Sequence, residues 1–160
     1  MKLNLKDISI LIKSKKFQEA IKELEGLIEK NNSVEDFYHL RGFCYLNLGK
    51  FNYAIENFTP AIKLNNTNVL FYFYRGIAYF KLNKFDESIK DYNKAISLNP
   101  NLPELYNNCA TVNYRIGENH LAIENYKKSI ELNDNIKESF LGLINILSRT
   151  EKINDDHNQI

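Results

Sequence analysis

One pattern recurs in this chain at a fixed spacing. It reads Tyr-x-x-Arg-Gly-x-x-Tyr over residues 38–45 and again over 72–79, and a weaker copy follows. Its small residue advances by 34 positions at each step, from Gly42 to Gly76 and from Gly76 to Ala110. A constant period of this length is typical of proteins built from similar supersecondary units that bury their apolar faces against each other. The sequence therefore predicts an array of repeats rather than one globular core.

A second set of positions repeats within each unit. Small residues at Ala54, Ser88 and Ala122 are each followed by an aromatic residue and then by another small one. Apolar residues recur three and four positions apart in both halves of a unit, as on the buried face of an amphipathic helix. Small residues let helix backbones approach, and rings fill the adjoining space. Because connections such as Gly49-Lys50 are short, the sequence predicts an all-α fold of antiparallel helix pairs.

The order of these positions resembles the tetratricopeptide repeat (TPR) family. The positions that carry the resemblance are, in the third repeat, Tyr72, Arg75, Gly76, Tyr79, Ser88, Tyr92, Ala95 and Pro100 and, in the second, Tyr38, Arg41, Gly42, Tyr45, Ala54, Phe58 and Ala61. The resemblance implies a right-handed α-solenoid of stacked antiparallel helix pairs over residues 1–150. Its expected parts are the repeats 1–34, 35–68, 69–102 and 103–136, a terminal helix 137–150, and a polar, disordered tail 151–160.

One residue conflicts with the predicted helices. Pro60 falls inside the second helix of the second repeat, where it removes a backbone donor and crowds the carbonyl of Glu56. The helix must therefore kink or break near Glu56. We expect a kink on the outer surface, with the freed carbonyl hydrated.

Charge and motif content disfavour several classes of function. Lys and Arg number 21 against 20 Asp and Glu, and this net charge of +1 provides no field to attract nucleic acid or an anionic membrane. The three histidines are spread along the chain, and no Gly-rich phosphate loop, Gly-x-Ser-x-Gly or Cys-x-x-Cys motif occurs. We therefore expect no catalytic site, no cofactor and no metal.

The sequence also bears on location. No stretch approaches the length of a membrane span, and Lys6 and Asp7 interrupt the N-terminal apolar residues before they reach export-signal length. We therefore expect a cytoplasmic protein that does not bind membranes. In that compartment Cys44 and Cys109 would be reduced, buried thiols.

In TPR proteins the first helices of the repeats line a concave groove, and the resemblance implies a peptide-binding groove here. The residues that it assigns to the groove are His39, Phe43, Asn47, Phe73, Ile77, Phe80, Lys81, Asn107, Thr111, Tyr114 and Arg115. Apolar side chains in such a groove are costly to expose, unless neighbouring repeats or a partner cover them. The aromatic members would take apolar anchors, while Lys81, Asn107 and Arg115 would fix the backbone or a carboxylate of the peptide.

Some family members hold the C-terminal carboxylate of a chaperone with a Lys/Asn clamp. At the corresponding positions this chain has no such clamp and carries Leu5, Ser9, Leu40, Leu70 and Tyr74. A chaperone tail is therefore disfavoured, and the identity of the protein or peptide partner stays open.

Three hypotheses follow for function. The first is a non-catalytic protein-interaction scaffold that binds a peptide or helix in its concave groove. The alternative is a self-associating structural subunit that forms a homodimer through residues 137–149. That segment keeps apolar surface after covering the fourth repeat; its apolar residues are Phe140, Leu141, Leu143, Ile144, Ile146 and Leu147. RNA binding by helical repeats is the third hypothesis, and the near-zero net charge disfavours it.

Overall fold

A computed structural model describes residues 5–157 of the chain, with side chains for residues 5–149. Within this range it contains nine helices and no strand, which confirms the predicted all-α class. The helices are α1 (Leu5–Lys13), α2 (Phe17–Lys30), α3 (Glu35–Asn47), α4 (Phe51–Leu64), α5 (Val69–Lys81), α6 (Phe85–Leu98), α7 (Pro103–Arg115), α8 (Asn119–Leu132) and α9 (Lys137–His157). The chain divides into an N-terminal unit, 1–91, and a C-terminal unit, 92–160, with the boundary inside α6.

The connections within the helix pairs share one backbone conformation. In each, a residue with positive φ follows the first helix; these are Lys15 (57°), Gly49 (70°), Asn83 (58°) and Gly117 (87°). The next amide donates to a carbonyl of the preceding helix five residues back, as from Lys16 to Leu11 at 2.9 Å or less in every case. This arrangement ends a helix and reverses the chain. The connections comprise three residues, one more than a pair such as Gly49-Lys50, because the first helices end at Lys13, Asn47, Lys81 and Arg115.

In the N-terminal unit each helix from α1 to α4 packs against the next one, and α3 also contacts α5. The interior of this unit includes Ile8, Leu24 and Phe58, which are fully buried. Gly42 of α3 shows why a small residue recurs in the pattern. A Cβ added to Gly42 would lie 2.9 Å from Cε1 of Phe58, so a larger residue would overlap a ring that cannot move freely. The predicted packing of small residues against rings is therefore confirmed at this contact.

The Arg of the repeated pattern has a separate structural role. Arg75 of α5 donates from Nε and Nη2 to the two carboxylate oxygens of Asp91, at 2.7 and 2.8 Å. Its Nη1 also donates to Oγ1 of Thr59 in α4, at 3.2 Å. The rings of Tyr72 and Tyr79 lie 5.9 and 5.8 Å from the guanidinium. This single side chain therefore joins α4, α5 and α6 within the N-terminal unit.

The C-terminal unit is organised around α8. In this unit α7 packs against α8, and α9 contacts both. Its interior includes Ala110, Ala122, Tyr126 and Ile146. The Tyr126 ring fills the space beside Gly142 of α9, and a Cβ at Gly142 would overlap that ring. Gly142 therefore fixes the position of α9, with Ile146 pointing inward.

The structure bears on the expectations for α4 and α9, and the expected kink at Pro60 stays a prediction. The helix α4 is continuous from Phe51 to Leu64, so Pro60 does not break it, and Pro60 is half-buried rather than on an exposed surface. The helix α9 ends at His157 rather than near residue 150, so it includes much of the expected tail 151–160. Residues 158–160 of that tail lie outside the described residues. None of the described helices combines the length and apolar character needed to cross a bilayer.

Candidate functional site

Four of the predicted groove residues form an apolar surface on the N-terminal unit. Phe73, Ile77 and Phe80 are spaced by four and three residues along α5, so they share one side of that helix. Phe43 occupies the position in α3 that Ile77 occupies in α5, 34 residues later. All four side chains are half-buried. We call Phe43, Phe73, Ile77 and Phe80 the aromatic face.

Tyr74 supports the aromatic face from within the unit. Its ring centroid lies 5.2 Å from that of Phe43, in an edge-to-face arrangement, and 5.3 Å from that of Phe73. On its other side it stacks on the fully buried ring of Phe58 at 6.0 Å. Such contacts hold rings in preferred geometries. The sequence did not identify this role of Tyr74, although its position beside Phe73 and its aromatic character were available as a signal.

His39 contributes to the packing around Tyr74. Its ring centroid is 5.0 Å from Phe71, 5.7 Å from Tyr74 and 5.9 Å from Phe58. The Nδ1 atom is buried and has no hydrogen-bond partner. Burial lowers the pKa of His39, and the carboxylate of Asp36 opposes that shift. His39 therefore packs between helices more than it offers a polar group to a ligand.

Two polar groove candidates of the N-terminal unit are exposed. The Asn47 amide donates to the carbonyl of Phe43 at 2.8 Å, so one of its donors is occupied. Lys81 ends α5, one residue after Phe80, and no described carboxylate pairs with it. Lys81 thus supplies a cation next to the aromatic face.

In the C-terminal unit the predicted groove residues are tied to neighbouring side chains. Oδ1 of Asn107 accepts a hydrogen bond from Ser139 of α9 at 3.0 Å. Thr111 donates to the Asn107 carbonyl at 2.9 Å, and its hydroxyl lies 3.2 Å from that of Tyr126. Hydrogen-bonded groups of this kind have less capacity to bind a ligand than free ones.

The other two residues predicted in the C-terminal unit differ from each other. The Tyr114 hydroxyl accepts a hydrogen bond from Asn145 at 3.4 Å and another from Arg149. The Arg149 guanidinium also lies over the Tyr114 ring, 5.8 Å from its centroid. Arg115 is exposed. Of these four candidates, Arg115 is therefore the one left open to solvent.

The described residues offer no evident centre for metal or thiol chemistry. No group of three His, Cys, Asp or Glu side chains among them could hold a metal ion. Burial raises the pKa of Cys44 to about 12 and that of Cys109 to about 11. Because the thiolate is the reactive form, these two buried thiols are poor nucleophiles at neutral pH.

Two models of one repeat family match the central part of the sequence. "TPR repeat" matches residues 45–83 and 76–117, and "Tetratricopeptide repeat" matches residues 103–136. Together these matches extend from residue 45 to residue 136. Comparison with curated proteins gives no significant match.

Several solved structures have the same fold. The crystal structure of MamA protein superposes with a TM-score of 0.83 and 22% sequence identity, over 88% of this chain and 77% of that one. MamA 41-end from Desulfovibrio magneticus RS-1 has a TM-score of 0.86 and 15% identity, over 96% of this chain and 88% of that one. The first TPR of Spaghetti (RPAP3), bound to the HSP90 peptide SRMEEVD, has a TM-score of 0.71 and 25% identity, over 73% of this chain and 93% of that one.

These likenesses show an all-α helical-repeat fold of solenoid type. The family matches agree with the 34-residue register. The helix ends and the connecting residues with positive φ follow the same register. The chain therefore belongs to the tetratricopeptide repeat family, whose members act as protein-interaction scaffolds.

Proposed function

We propose that the chain is a non-catalytic scaffold that binds a peptide or helix of a partner protein on the aromatic face of the N-terminal unit. The observation that carries the proposal is the partial exposure of all four side chains of that face. When a ligand covers neighbouring apolar side chains that are partly exposed, the burial of their surface stabilises the complex. Large rings that fill pockets also dominate many protein interfaces.

The surroundings of the aromatic face favour binding in two further ways. Tyr74 and Phe58 support Phe43 and Phe73 from behind, so a ligand would order few additional side chains. Lys81 provides an exposed positive charge next to Phe80. A ligand with apolar anchors and a carboxylate after the last anchor would match this arrangement.

The TPR of RPAP3 supports a peptide as the class of ligand, because that domain was solved with the HSP90 peptide SRMEEVD. The same mode of binding is not expected here. The clamp positions carry Leu5, Ser9, Leu40, Leu70 and Tyr74, which provide no cation to hold a terminal carboxylate. We therefore propose recognition through apolar anchors rather than through the C-terminus of a chaperone.

A peptide library displayed on phage tests this proposal. The intact chain should enrich peptides with regularly spaced apolar residues, and a synthetic copy of an enriched peptide should bind in isothermal titration calorimetry. The double variant Phe73→Ala and Phe80→Ala should weaken that binding at least tenfold, because each truncation removes contact with an anchor. The helical circular dichroism of the variant should stay close to that of the native chain.

Leu64→Ala provides the matched control. Leu64 is 45% exposed at the end of α4 and is not part of the aromatic face. Its truncation removes exposed apolar area of similar kind, so it should leave the affinity for the peptide unchanged. Equal affinity of the native chain and the Phe73/Phe80 variant would show that the ligand binds elsewhere.

A second candidate is self-association through α9. Leu141 and Ile144 are 66% and 60% exposed, and Phe140 and Leu147 are also exposed. In contrast, Ile146 is buried in the C-terminal unit. The apolar exposure beyond what α9 needs for its own packing is the observation that favours this candidate.

Sedimentation equilibrium tests self-association. A dimer whose population rises with concentration, and which the variant Leu141→Glu and Ile144→Glu abolishes, would support it. These two positions are preferable to Leu143, which packs partly against the interior of the C-terminal unit. A monomer at all concentrations would exclude the candidate.

A further inference from the structure

His39 lies in surroundings that suit one of its two charge states. His39 is half-buried, and its imidazole packs against three aromatic rings, from Phe58 of α4 and from Phe71 and Tyr74 of α5, at centroid distances of 5.9, 5.0 and 5.7 Å. Its Nδ1 atom is buried without a hydrogen-bond partner. A neutral imidazole can leave Nδ1 unprotonated, so the buried atom is then an unused acceptor.

Protonation changes this balance. The imidazolium carries an N–H on both nitrogens, so Nδ1 becomes a buried donor that no described acceptor satisfies. A charged donor without a partner is among the most costly groups to bury. The geometry therefore penalises the charged ring while it tolerates the neutral one.

The groups that face His39 from each helix give little compensation. On α3 itself, Asp36 is the carboxylate whose charge acts on the ring, and its side chain is exposed, so water and salt screen it. From α4 the ring meets Phe58, which has no charge. From α5 it meets Phe71 and Tyr74, and burial raises the pKa of Tyr74, so that hydroxyl stays neutral. Burial accordingly outweighs Asp36 and lowers the pKa of His39.

We infer that His39 is a proton-sensitive element of the N-terminal unit, whose protonation destabilises the packing of α3 against α4 and α5. Tyr74 touches His39 on one side and Phe43 and Phe73 on the other. Loss of the His39 contacts therefore also loosens the support of the aromatic face. The effect on stability stands by itself, whereas its effect on ligand binding rests on the proposed function.

The direction of the pH dependence follows from proton binding in the two states. Because the folded-state pKa of His39 is lowered, the unfolded chain binds the proton more readily. The stability is therefore complete above the ordinary histidine pKa of about 6.5 and falls as the pH drops below it. The fall ends once the pH is below the folded-state pKa. Within that window one proton changes the unfolding equilibrium constant by at most about tenfold per pH unit.

Two measurements on the intact chain test the inference. The first follows the imidazole resonances by NMR between pH 5 and pH 8 and needs no substitution of His39. The His39 signal should titrate with a midpoint below that of a free histidine. A midpoint at or above about 6.5 would overturn the inference.

The second measurement compares urea unfolding at pH 7.5 and pH 5.5, with a probe of the N-terminal unit. His39→Phe keeps an aromatic ring but cannot be protonated, so it should lose less stability between the two pH values than the native chain. His120→Gln is the matched control, because His120 is exposed on α8 of the C-terminal unit. That variant should keep the native pH dependence. Equal losses in the native chain and in His39→Phe would contradict the inference.

The consequence for binding uses a peptide selected at pH 7.5 on the aromatic face. Its affinity should fall at pH 5.5 for the native chain and fall less for His39→Phe. An affinity that falls equally in both proteins would refute the link between His39 and the face, while peptide binding itself would stand. If no peptide binds the chain at either pH, the proposed function is contradicted, while the NMR and urea results remain valid.

Discussion

The N-terminal and C-terminal units fill one pair of repeat positions with opposite chemistry. In the N-terminal unit, the ring of His39 packs on the ring of Phe71 at 5.0 Å. The equivalent positions 68 residues later hold Asn107 and Ser139, which form a hydrogen bond of 3.0 Å. The helix frame is thus the same in both units, while the contact between the first helices of successive repeats is aromatic in one and polar in the other.

A second set of equivalent positions shows the same exchange. Phe58 stacks on Tyr74 in the N-terminal unit. At the corresponding places in the C-terminal unit, Tyr126 fills the space beside Gly142, and its hydroxyl reaches Thr111. Tyr74 of α5 therefore corresponds to Gly142 of α9, which has no side chain. The Tyr126 ring of α8 occupies the space that a side chain at position 142 would take.

This difference explains why we assign binding to the N-terminal unit. Phe43 and Phe73 stay partly exposed, and in the proposed function these exposed parts contact apolar groups of the ligand. The polar contacts of the C-terminal unit occupy Oδ1 of Asn107 and the hydroxyl of Thr111 within the chain. Side chains with satisfied hydrogen bonds gain little from a new partner.

The largest expected effect tests the dependence of the N-terminal unit on its ion pair. Arg75→Met leaves Asp91, whose side chain is 5% exposed, without its cation. Removing one partner of such a pair should lower the free energy of unfolding by about 3 kcal/mol. Urea unfolding combined with thiol labelling gives the measurement, since Cys44 reports on the N-terminal unit and Cys109 on the C-terminal unit.

The double variant Arg75→Met and Asp91→Leu is the control for this experiment. It removes both charges, so it should be clearly more stable than Arg75→Met alone. Labelling of Cys109 should change less than labelling of Cys44, because the pair lies in the N-terminal unit. A single variant as stable as the native chain would show that the ion pair contributes little.

We expect an intermediate effect from a substitution at Gly142, where the Tyr126 ring packs directly against the backbone of α9. Gly142→Ala adds a Cβ that overlaps this ring, so we expect a loss of about 2 kcal/mol in the C-terminal unit. Gly26→Ala in α2 is the matched control, because a Cβ there meets nothing within 4 Å. That substitution should instead stabilise the chain by about 0.8 kcal/mol through helix propensity. Thermal unfolding by circular dichroism distinguishes the two, and equal effects would refute the packing argument.

The smallest effect concerns the polar contact of the C-terminal unit. The Ser139 hydroxyl lies 3.0 Å from Asn107 Oδ1 and 2.8 Å from the Ser129 hydroxyl, and all of Ser139 is buried. Ser139→Ala should therefore cost about 1 kcal/mol in urea unfolding. The exposed Ser97→Ala, whose hydroxyl bonds only within its own helix, should be close to neutral. If Ser139→Ala were also neutral, the hydrogen bond would not hold α9 in place.

The repeat period made most of the fold predictable. Each step of 34 residues places equivalent helix positions next to each other, so small residues such as Gly42 were expected to pack beside aromatic rings. The same logic gave the helix pairs and their connections. The length of α9 was not predictable in this way, because no later repeat exists within the sequence to set where it ends.

The candidate site was predictable only in part. The register identifies which positions of successive repeats face each other, but the residue at the opposing position decides whether a side chain is covered. His39 is drawn inward because Phe71 and Tyr74 offer it apolar surface, and Asn107 is held because Ser139 offers it a hydroxyl. Binding at the aromatic face and a cytoplasmic location both stay predictions.

The four left-handed connections have a practical consequence. Two of them use glycine, whereas Lys15 and Asn83 adopt the same conformation with a side chain attached, and a Cβ at Gly49 or Gly117 would meet no other atom within 4 Å. A side chain at Gly49 or Gly117 would therefore find open space but would strain the backbone, because L residues rarely adopt these positive φ values. A fluorophore or cross-linker attached at Lys15 or Asn83, which are exposed and already carry side chains in this conformation, could report distances within the N-terminal unit without disturbing its interior.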